Sequence, residues 1–261
     1  MTRIARVFAE KPKVLVAYVT AGDPTPERTP ALVEALERGG ADLIELGVPF
    51  SDPVADGPII QRAGDRALRA GTTLAKVLEI ARCIRRRSEI PLLLFTYLNP
   101  VIRYGLDRLA ADAKAAGIDG CLLTDASVEE AESYVAAMHN HGLDTVFLAA
   151  PTSTARRLQL VARYSTGFVY LVSRTGVTGE QASLSDAVTP LIQRVRAVTD
   201  LPIAVGFGIN KPEHVSALAP QVEAVAVGSA IVRLIEKNSP TLESALESYV
   251  RSLKSALGAS Q

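Results

Sequence analysis

The sequence predicts an α/β fold, a (β/α)8 TIM barrel that forms a single domain over residues 1–261 with an extra helix at the N-terminus. Three observations support this prediction. Short continuous apolar runs alternate eight times with longer stretches of helical periodicity. No composition break or linker divides the chain. Its 261 residues are close to the roughly 250 residues of a typical barrel of this kind.

The predicted strands are short runs rich in β-branched residues, without regular polar alternation. This pattern is typical of strands that are covered on both faces, as in a parallel sheet. The strands span residues 14–20, 42–46, 91–96, 120–124, 145–149, 168–173, 203–206 and 224–227.

After each strand, apolar residues recur with the period of a helix. Thr73 and Thr154 are suited to cap two of these helices, and Gly40, Gly117 and Gly142 follow helix ends where a left-handed residue is favoured. The predicted helices span residues 27–38, 73–86, 106–116, 128–141, 154–164, 185–198, 212–218 and 242–257, and an additional helix over residues 3–10 would close the barrel bottom.

A doubly wound sheet is the main alternative to the barrel. Such a sheet normally has fewer strands and a Gly-x-Gly-x-x-Gly turn after the first strand. Residues 20–24 read Thr-Ala-Gly-Asp-Pro, which does not match that turn. The barrel is therefore the better prediction.

Charge and cysteine content narrow the class of protein. The chain has 28 basic and 28 acidic residues, whereas binders of nucleic acid or anionic membranes rely on a positive excess. No apolar run approaches the roughly 20 residues of a membrane span, and residues 1–13 lack the apolar segment of a signal peptide. With only Cys83 and Cys121, we expect no disulfide and a cytoplasmic location.

Glu45 is the first candidate for a catalytic residue. Functional groups of such barrels collect at the C-terminal ends of the strands, and Glu45 lies near the end of the second strand. Strand alternation puts Leu43 and Glu45 on one side, which we predict to face the barrel interior. A buried charge is costly, so Glu45 is either an acid or base or a structural carboxylate bonded to backbone.

Asp52 and Asp56 lie in the Pro/Gly-rich loop that follows Glu45. Aspartates followed by Pro or Gly commonly form Asx turns. Their position alone therefore does not decide between a turn and a catalytic role.

Glycine-containing turns follow the last two strands, at residues 206–209 and 228–230. Backbone N–H groups in these positions are the usual phosphate site of such barrels, although plain connectors would use the same residues. The polar loop at residues 173–180 is either a lid over the site or a simple connection.

Other reaction types lack candidate residues. No lysine lies at the C-terminal end of a predicted strand, so a Schiff-base nucleophile is missing. The three histidines lie on helices or at helix ends, which leaves a metal site unsupported. Carbon–carbon bond chemistry would have to use carboxylates.

Three separated motifs resemble the tryptophan synthase alpha chain family. They are ELGVPFSDPVADGP at residues 45–58, SRTGVTG at residues 173–179, and GFGI with GSA at residues 206–209 and 228–230. The resemblance runs from about Tyr18 to the last helix. One departure is TDAS at residues 124–127, which lacks the proline that many members carry after the aspartate.

The resemblance implies a lyase that cleaves indole-3-glycerol phosphate to indole and glyceraldehyde 3-phosphate without a cofactor. It implies that Glu45 shuttles the proton and that Asp56 binds the indole N–H. Eight further positions match the family's substrate-binding residues: Tyr18 in the indole pocket, Tyr170 packing on or ordering the substrate, Thr178 on the lid, and Gly179, Phe207, Gly208, Gly228 and Ser229 around the phosphate.

The resemblance also implies a partner. The family's alpha chain docks on a beta chain, which holds pyridoxal phosphate and receives the indole, in an α2β2 complex. Asp52 with Pro53, and Asn99 with Ile102, match the docking segments. The cofactor belongs to the beta chain, and we expect neither cofactor nor metal on this chain.

Three alternatives stay open. A stand-alone lyase of the same family would release free indole without a partner. A barrel isomerase of phosphorylated sugars would share the phosphate turns, but it would not explain Asp56. A phosphate-binding barrel that acts only as a regulatory partner would not need Glu45 or Asp56.

Overall fold

The computed structural model describes residues 1–172, 184–206 and 208–258, in which eight parallel strands form a closed barrel. The strands are β1 (Val14–Thr20), β2 (Leu43–Gly47), β3 (Leu92–Thr96), β4 (Gly120–Leu123), β5 (Asp144–Ala149), β6 (Val169–Val172), β7 (Ile203–Gly206) and β8 (Ala224–Val227). Each strand pairs with its neighbours in sequence, and β8 pairs with β1. The predicted barrel is confirmed.

A helix follows every strand, and the additional N-terminal helix is present. The helices among the described residues are α1 (Arg3–Glu10), α2 (Thr29–Arg38), α3 (Pro58–Arg69), α4 (Leu74–Arg85), α5 (Leu98–Tyr104), α6 (Leu106–Ala115), α7 (Glu132–Asn140), α8 (Ala155–Tyr164), α9 (Leu184–Arg196), α10 (Pro212–Leu218), α11 (Ser229–Lys237) and α12 (Leu242–Gly258), with a 3₁₀ turn at Val128–Glu130. Across the described part of the chain, these helices are too short or too polar to cross a membrane.

Local sequence signals set several helix ends as predicted. The hydroxyls of Thr73 and Thr154 accept a hydrogen bond from the N–H three residues further on, each at 3.3 Å. These bonds satisfy N–H groups that have no partner inside α4 and α8. Gly117, after α6, has a φ of 81°, which glycine adopts at little cost.

The sequence pattern does not predict α3, α5 or the full length of α11, and it predicts too long a helix after β4. α3 buries only the small residues Ala63, Gly64 and Ala67, so its apolar stripe is weak. α5 is seven residues long and buries only Val101. The predicted helix after β4 is divided at Ala131, which follows the 3₁₀ turn and precedes α7.

Alternation along β2 determines where Glu45 lies. Leu43 packs in the barrel interior, whereas Ile44 and Leu46 pack outward against the helices. The interior cluster of apolar residues consists of Ile4, Val7, Val14, Val16, Leu43, Leu93, Leu122, Val146, Phe168, Tyr170, Ala204, Ala224 and Ala226. Glu45, two residues after Leu43, therefore points inward above this packed core.

Helix α1 closes the N-terminal end of the barrel. Ile4 is fully buried, and Thr2 donates a hydrogen bond to Asp144 of β5. A Cβ atom at Gly120 or Gly167 would lie 3.1 or 3.0 Å from the Ile4 side chain. The absence of side chains at these two glycines lets α1 sit close against the strands.

Candidate active site

A cavity of about 640 Å³ opens at the C-terminal end of the barrel strands. It is the position that the fold assigns to function in barrels of this type. Seven residues that were predicted for the site line its wall: Tyr18, Glu45, Asp56, Tyr170, Gly208, Gly228 and Ser229. The other three, Thr178, Gly179 and Phe207, lie outside the described residues.

Glu45 is a buried carboxyl in the cavity wall, with 2% of its surface exposed. Its Oε1 atom has no hydrogen-bond partner among the described residues. This argues against a structural carboxylate, because such a group would be satisfied by neighbouring donors. Burial raises the pKa of Glu45 to about 8, since the surroundings disfavour the charged form. A carboxyl of this kind can give and take a proton near neutral pH.

Asp56 lies on the loop between β2 and α3 and is partly buried. Burial raises the pKa of its carboxyl, and a hydrogen bond with the Tyr97 hydroxyl opposes this effect by favouring the charged form. The oxygen of the same hydroxyl accepts a hydrogen bond from the Ala55 N–H at 3.1 Å. Tyr97 thereby holds the loop at two consecutive residues.

Tyr18 and Tyr170 present buried aromatic rings to the cavity, with 6% and 7% exposed. Each hydroxyl lies over a strand glycine: a Cβ atom at Gly47 would be 2.3 Å from the Tyr18 oxygen, and one at Gly206 would be 2.1 Å from that of Tyr170. Only glycine leaves this space. The ring of Phe95 packs edge-on against Tyr18 at 5.4 Å. This aromatic wall suits a flat apolar ligand.

Glycine turns form another part of the wall. Gly208 has a φ of 68°, and Gly228 is the N-cap of α11, which begins at Ser229. Among the described residues, no side chain caps this helix, and its first N–H groups have no partner within the helix. The positive end of the helix dipole adds to them, and the arrangement suits an anion such as phosphate.

The residues predicted for docking lie on two neighbouring surface segments. They are Asp52 and Pro53 on the loop after β2, and Asn99 and Ile102 on α5. Ile102 is 61% exposed and Val54, beside Pro53, is 83% exposed. The two segments are joined underneath by the rings of Phe50 and Tyr97, whose centroids are 5.2 Å apart.

Sequence reasoning missed Tyr97 as a site residue. A signal was available, because Tyr97 directly follows β3 and the C-terminal strand ends carry function. The loop after β4, which lacks the family's proline, is tied to this region by Asp125. Its Oδ1 accepts a hydrogen bond from the Leu98 N–H at 2.7 Å, which fixes the start of α5.

Comparison with known proteins matches the whole chain to one family. The family model of the tryptophan synthase alpha chain covers residues 4–258. A tryptophan synthase alpha chain from Solibacter usitatus is 77% identical, with 99% of both chains covered. Another from Geotalea uraniireducens is 48% identical, again with 99% of both covered.

Solved structures agree with the sequence comparison. Tryptophan synthase subunit alpha from Legionella pneumophila has a TM-score of 0.92 at 37% identity, covering 99% of each chain. A Pyrococcus furiosus structure of the tryptophan synthase a2b2 complex has a TM-score of 0.87 at 40% identity. The match covers 94% of this chain and 99% of that one. On these grounds, the chain belongs to the tryptophan synthase alpha chain family.

Proposed function

We propose that the chain is the alpha subunit of a tryptophan synthase and a lyase that cleaves indole-3-glycerol phosphate to indole and glyceraldehyde 3-phosphate. The observation that carries the proposal is Glu45, a buried carboxyl whose Oε1 has no partner among the described residues, in a cavity shared with Asp56 and the glycine turns. The family's reaction needs no cofactor, and pyridoxal phosphate belongs to the beta chain.

Glu45 gives one proton and then takes one back. Its raised pKa keeps the carboxyl protonated near neutral pH, so it delivers its proton to C3 of the indole ring. The ring then carries a positive charge at nitrogen and becomes an electron acceptor. The Glu45 carboxylate removes the proton from the hydroxyl on the adjacent side-chain carbon, and that carbon becomes an aldehyde. The bond to C3 breaks, its electron pair returns to the ring, and neutral indole leaves.

Asp56 stabilises the charge that develops on the ring. Its carboxylate accepts a hydrogen bond from the indole N–H, and it lies next to the positively charged nitrogen when C3 is protonated. The hydrogen bonds of Tyr97 to this loop hold the carboxylate in place before the substrate arrives. Preorganised charge of this kind lowers the barrier without reorganisation during the reaction.

The remaining site residues bind and orient the substrate. We assign Tyr18 and Tyr170 to the indole ring, and Gly208, Gly228 and Ser229 to the phosphate. Binding of the remote phosphate would contribute to orienting C3 towards Glu45. Thr178, Gly179 and Phe207 complete the set by resemblance to the family.

The partner in this proposal is a beta chain, in an α2β2 complex, that docks at Asp52, Pro53, Asn99 and Ile102. The exposed apolar side chains of Val54 and Ile102 are in keeping with an interface. We place the activity in the cytoplasm, where the free thiols of Cys83 and Cys121 fit a reducing environment.

Indole release from indole-3-glycerol phosphate tests the proposal, with the purified chain alone, with an added beta chain, and with Glu45→Gln. We expect slow release alone, faster release with the partner, and none with the variant. Fast release that the partner does not change would identify a stand-alone lyase. No release in either condition would overturn the lyase proposal and favour a phosphate-binding regulatory protein.

A further inference from the structure

Part of the wall of the same cavity is lined by basic residues. Lys211, Arg233 and Lys237 line it together with Leu234 and Tyr249. We call this region the cationic channel. It is part of the same continuous cavity that contains Glu45.

The basic residues of α11 lie on the same helix face as Ser229, which belongs to the second glycine turn. Ser229, Arg233 and Lys237 are four residues apart, so they share one face of the helix. Each step along this face rises about 6 Å. Lys211 belongs to a different segment, as the N-cap of α10. Positive charge therefore extends about 12 Å along α11 from its N-terminus.

No ion pair within the described ranges neutralises the cationic channel. Lys211, Arg233 and Lys237 are exposed, and the ion pairs between described residues do not include them. Glu236, on the same helix, is bound instead to Arg62 and Arg66 of α3. The field of the three cations is thus directed to the cavity and to solvent.

The charges of the cavity wall are segregated. Among the described residues of the wall, the acidic ones are Glu45 and Asp56, on β2 and the following loop, and the basic ones are the three of the cationic channel. A molecule with an N–H group at one end and a phosphate at the other fits only one orientation in such a field. Indole-3-glycerol phosphate has these two ends.

We infer that the cationic channel captures the phosphate dianion and guides it to the glycine turns, so that Lys211, Arg233 and Lys237 determine the preference for a phosphorylated substrate. Gly208, Gly228 and Ser229 offer N–H groups without formal charge. The cations supply the long-range attraction that these groups lack. Since they are exposed, this attraction weakens as salt screens it. The inference rests on the proposed function.

The test compares two triple variants with equal loss of charge. K211Q/R233Q/K237Q removes the cationic channel's charges, and R6Q/R69Q/R156Q removes three exposed arginines that do not line the cavity. We measure kcat and KM for cleavage at low and high ionic strength. For the first variant we expect KM to rise about tenfold at low salt, with kcat little changed. Its kcat/KM should also respond less to salt than that of the wild type.

The matched control should behave as the wild type. Equal KM and equal salt response in the two triple variants would overturn the inference, as would a loss confined to kcat. Titration with inorganic phosphate, followed by calorimetry, separates this inference from the proposed function. If the wild type does not cleave the substrate, phosphate binding that is weaker in K211Q/R233Q/K237Q but unchanged in R6Q/R69Q/R156Q would still support capture by the cationic channel. Equal binding in both variants would overturn it.

Discussion

The hydroxyl oxygen of Tyr97 accepts a hydrogen bond from the backbone N–H of Ala55 at 3.1 Å. Tyr97 is the N-cap residue of α5, which carries two of the proposed docking residues, and Ala55 directly precedes Asp56. One buried side chain therefore links the proposed docking surface to the proposed catalytic loop. A shift of α5 on partner binding would reach Asp56 through this contact.

Tyr97→Phe tests this link. The substitution keeps the ring but removes both hydrogen bonds, so we expect kcat/KM to fall about tenfold, corresponding to about 1.4 kcal/mol. Because the hydroxyl lowers the pKa of Asp56, its loss should move the acid limb of the kcat/KM profile to higher pH. Tyr104→Phe, which removes a hydroxyl bonded to Asp112 on α6, is the control. An unmoved acid limb in Tyr97→Phe would contradict the assignment.

The wild-type pH profile should fall on the alkaline side with a midpoint near the pKa of Glu45. Burial raises this pKa to about 8, and the reaction begins with a protonated Glu45. Above that pH the free enzyme loses the proton that C3 must receive. Measurement of kcat/KM from acid to alkaline pH checks this. A rate that stays level well beyond pH 8 would show that Glu45 is not the acid of the first step.

Glu45→Gln should abolish activity and stabilise the protein at alkaline pH. Loss of a proton-transfer group costs about 10²- to 10⁴-fold in rate. Because the folded-state pKa of about 8 lies above the ordinary value of 4.5, the folded state binds the proton more tightly than the unfolded state. Stability from this group is complete below the ordinary value and is lost as pH rises through 8.

Urea unfolding at two pH values measures this stability effect. Near pH 9 the variant should be more stable than the wild type by a few kcal/mol, because glutamine has no charge to bury. Near pH 4 the difference should nearly vanish. A variant that is less stable at both pH values would indicate that Glu45 has a structural role.

Arg66→Met should destabilise the fold. Arg66 on α3 donates two hydrogen bonds to Asp23, at 2.8 and 2.9 Å, and Asp23 is 1% exposed. Removal of the guanidinium leaves a buried charge without its partner, which costs about 3–5 kcal/mol. Chemical unfolding measures this loss. The double variant D23N/R66M, which also removes the buried charge, should recover part of it, and no recovery would point to lost packing instead.

Much of the fold could be predicted because its signals are local. The bounds of β1, β7 and β8 follow directly from continuous apolar runs. Thr73 and Thr154 mark helix starts, because each hydroxyl accepts a hydrogen bond from the N–H three residues further on. α3 could not be predicted in this way, because it packs through small residues against its neighbours. Its position depends on contacts such as Arg66 with Asp23, which lie 43 residues apart.

The candidate site also has a part that local sequence predicts and a part that it does not. Glu45 could be found from one strand, since alternation and burial act within a few residues. The role of Tyr97 could not, because its hydroxyl contacts Ala55, 42 residues earlier in the chain. The cationic channel depends on the meeting of Lys211, which follows β7, with α11, which follows β8, and the pairing of these two strands brings them together. Pairings of this kind leave no local pattern.

The docking of α1 has a consequence for the order of events during synthesis. Ile4 packs where Gly120 and Gly167 leave space, and Thr2 bonds to Asp144. A growing chain emerges with its N-terminus first, so α1 is made long before the strands that it covers exist. The site that buries Ile4 is complete only when Gly167 and β6 have been added. Helix α1 is thus made early but completes its packing late, and a chain truncated before β6 lacks part of the surface that buries it.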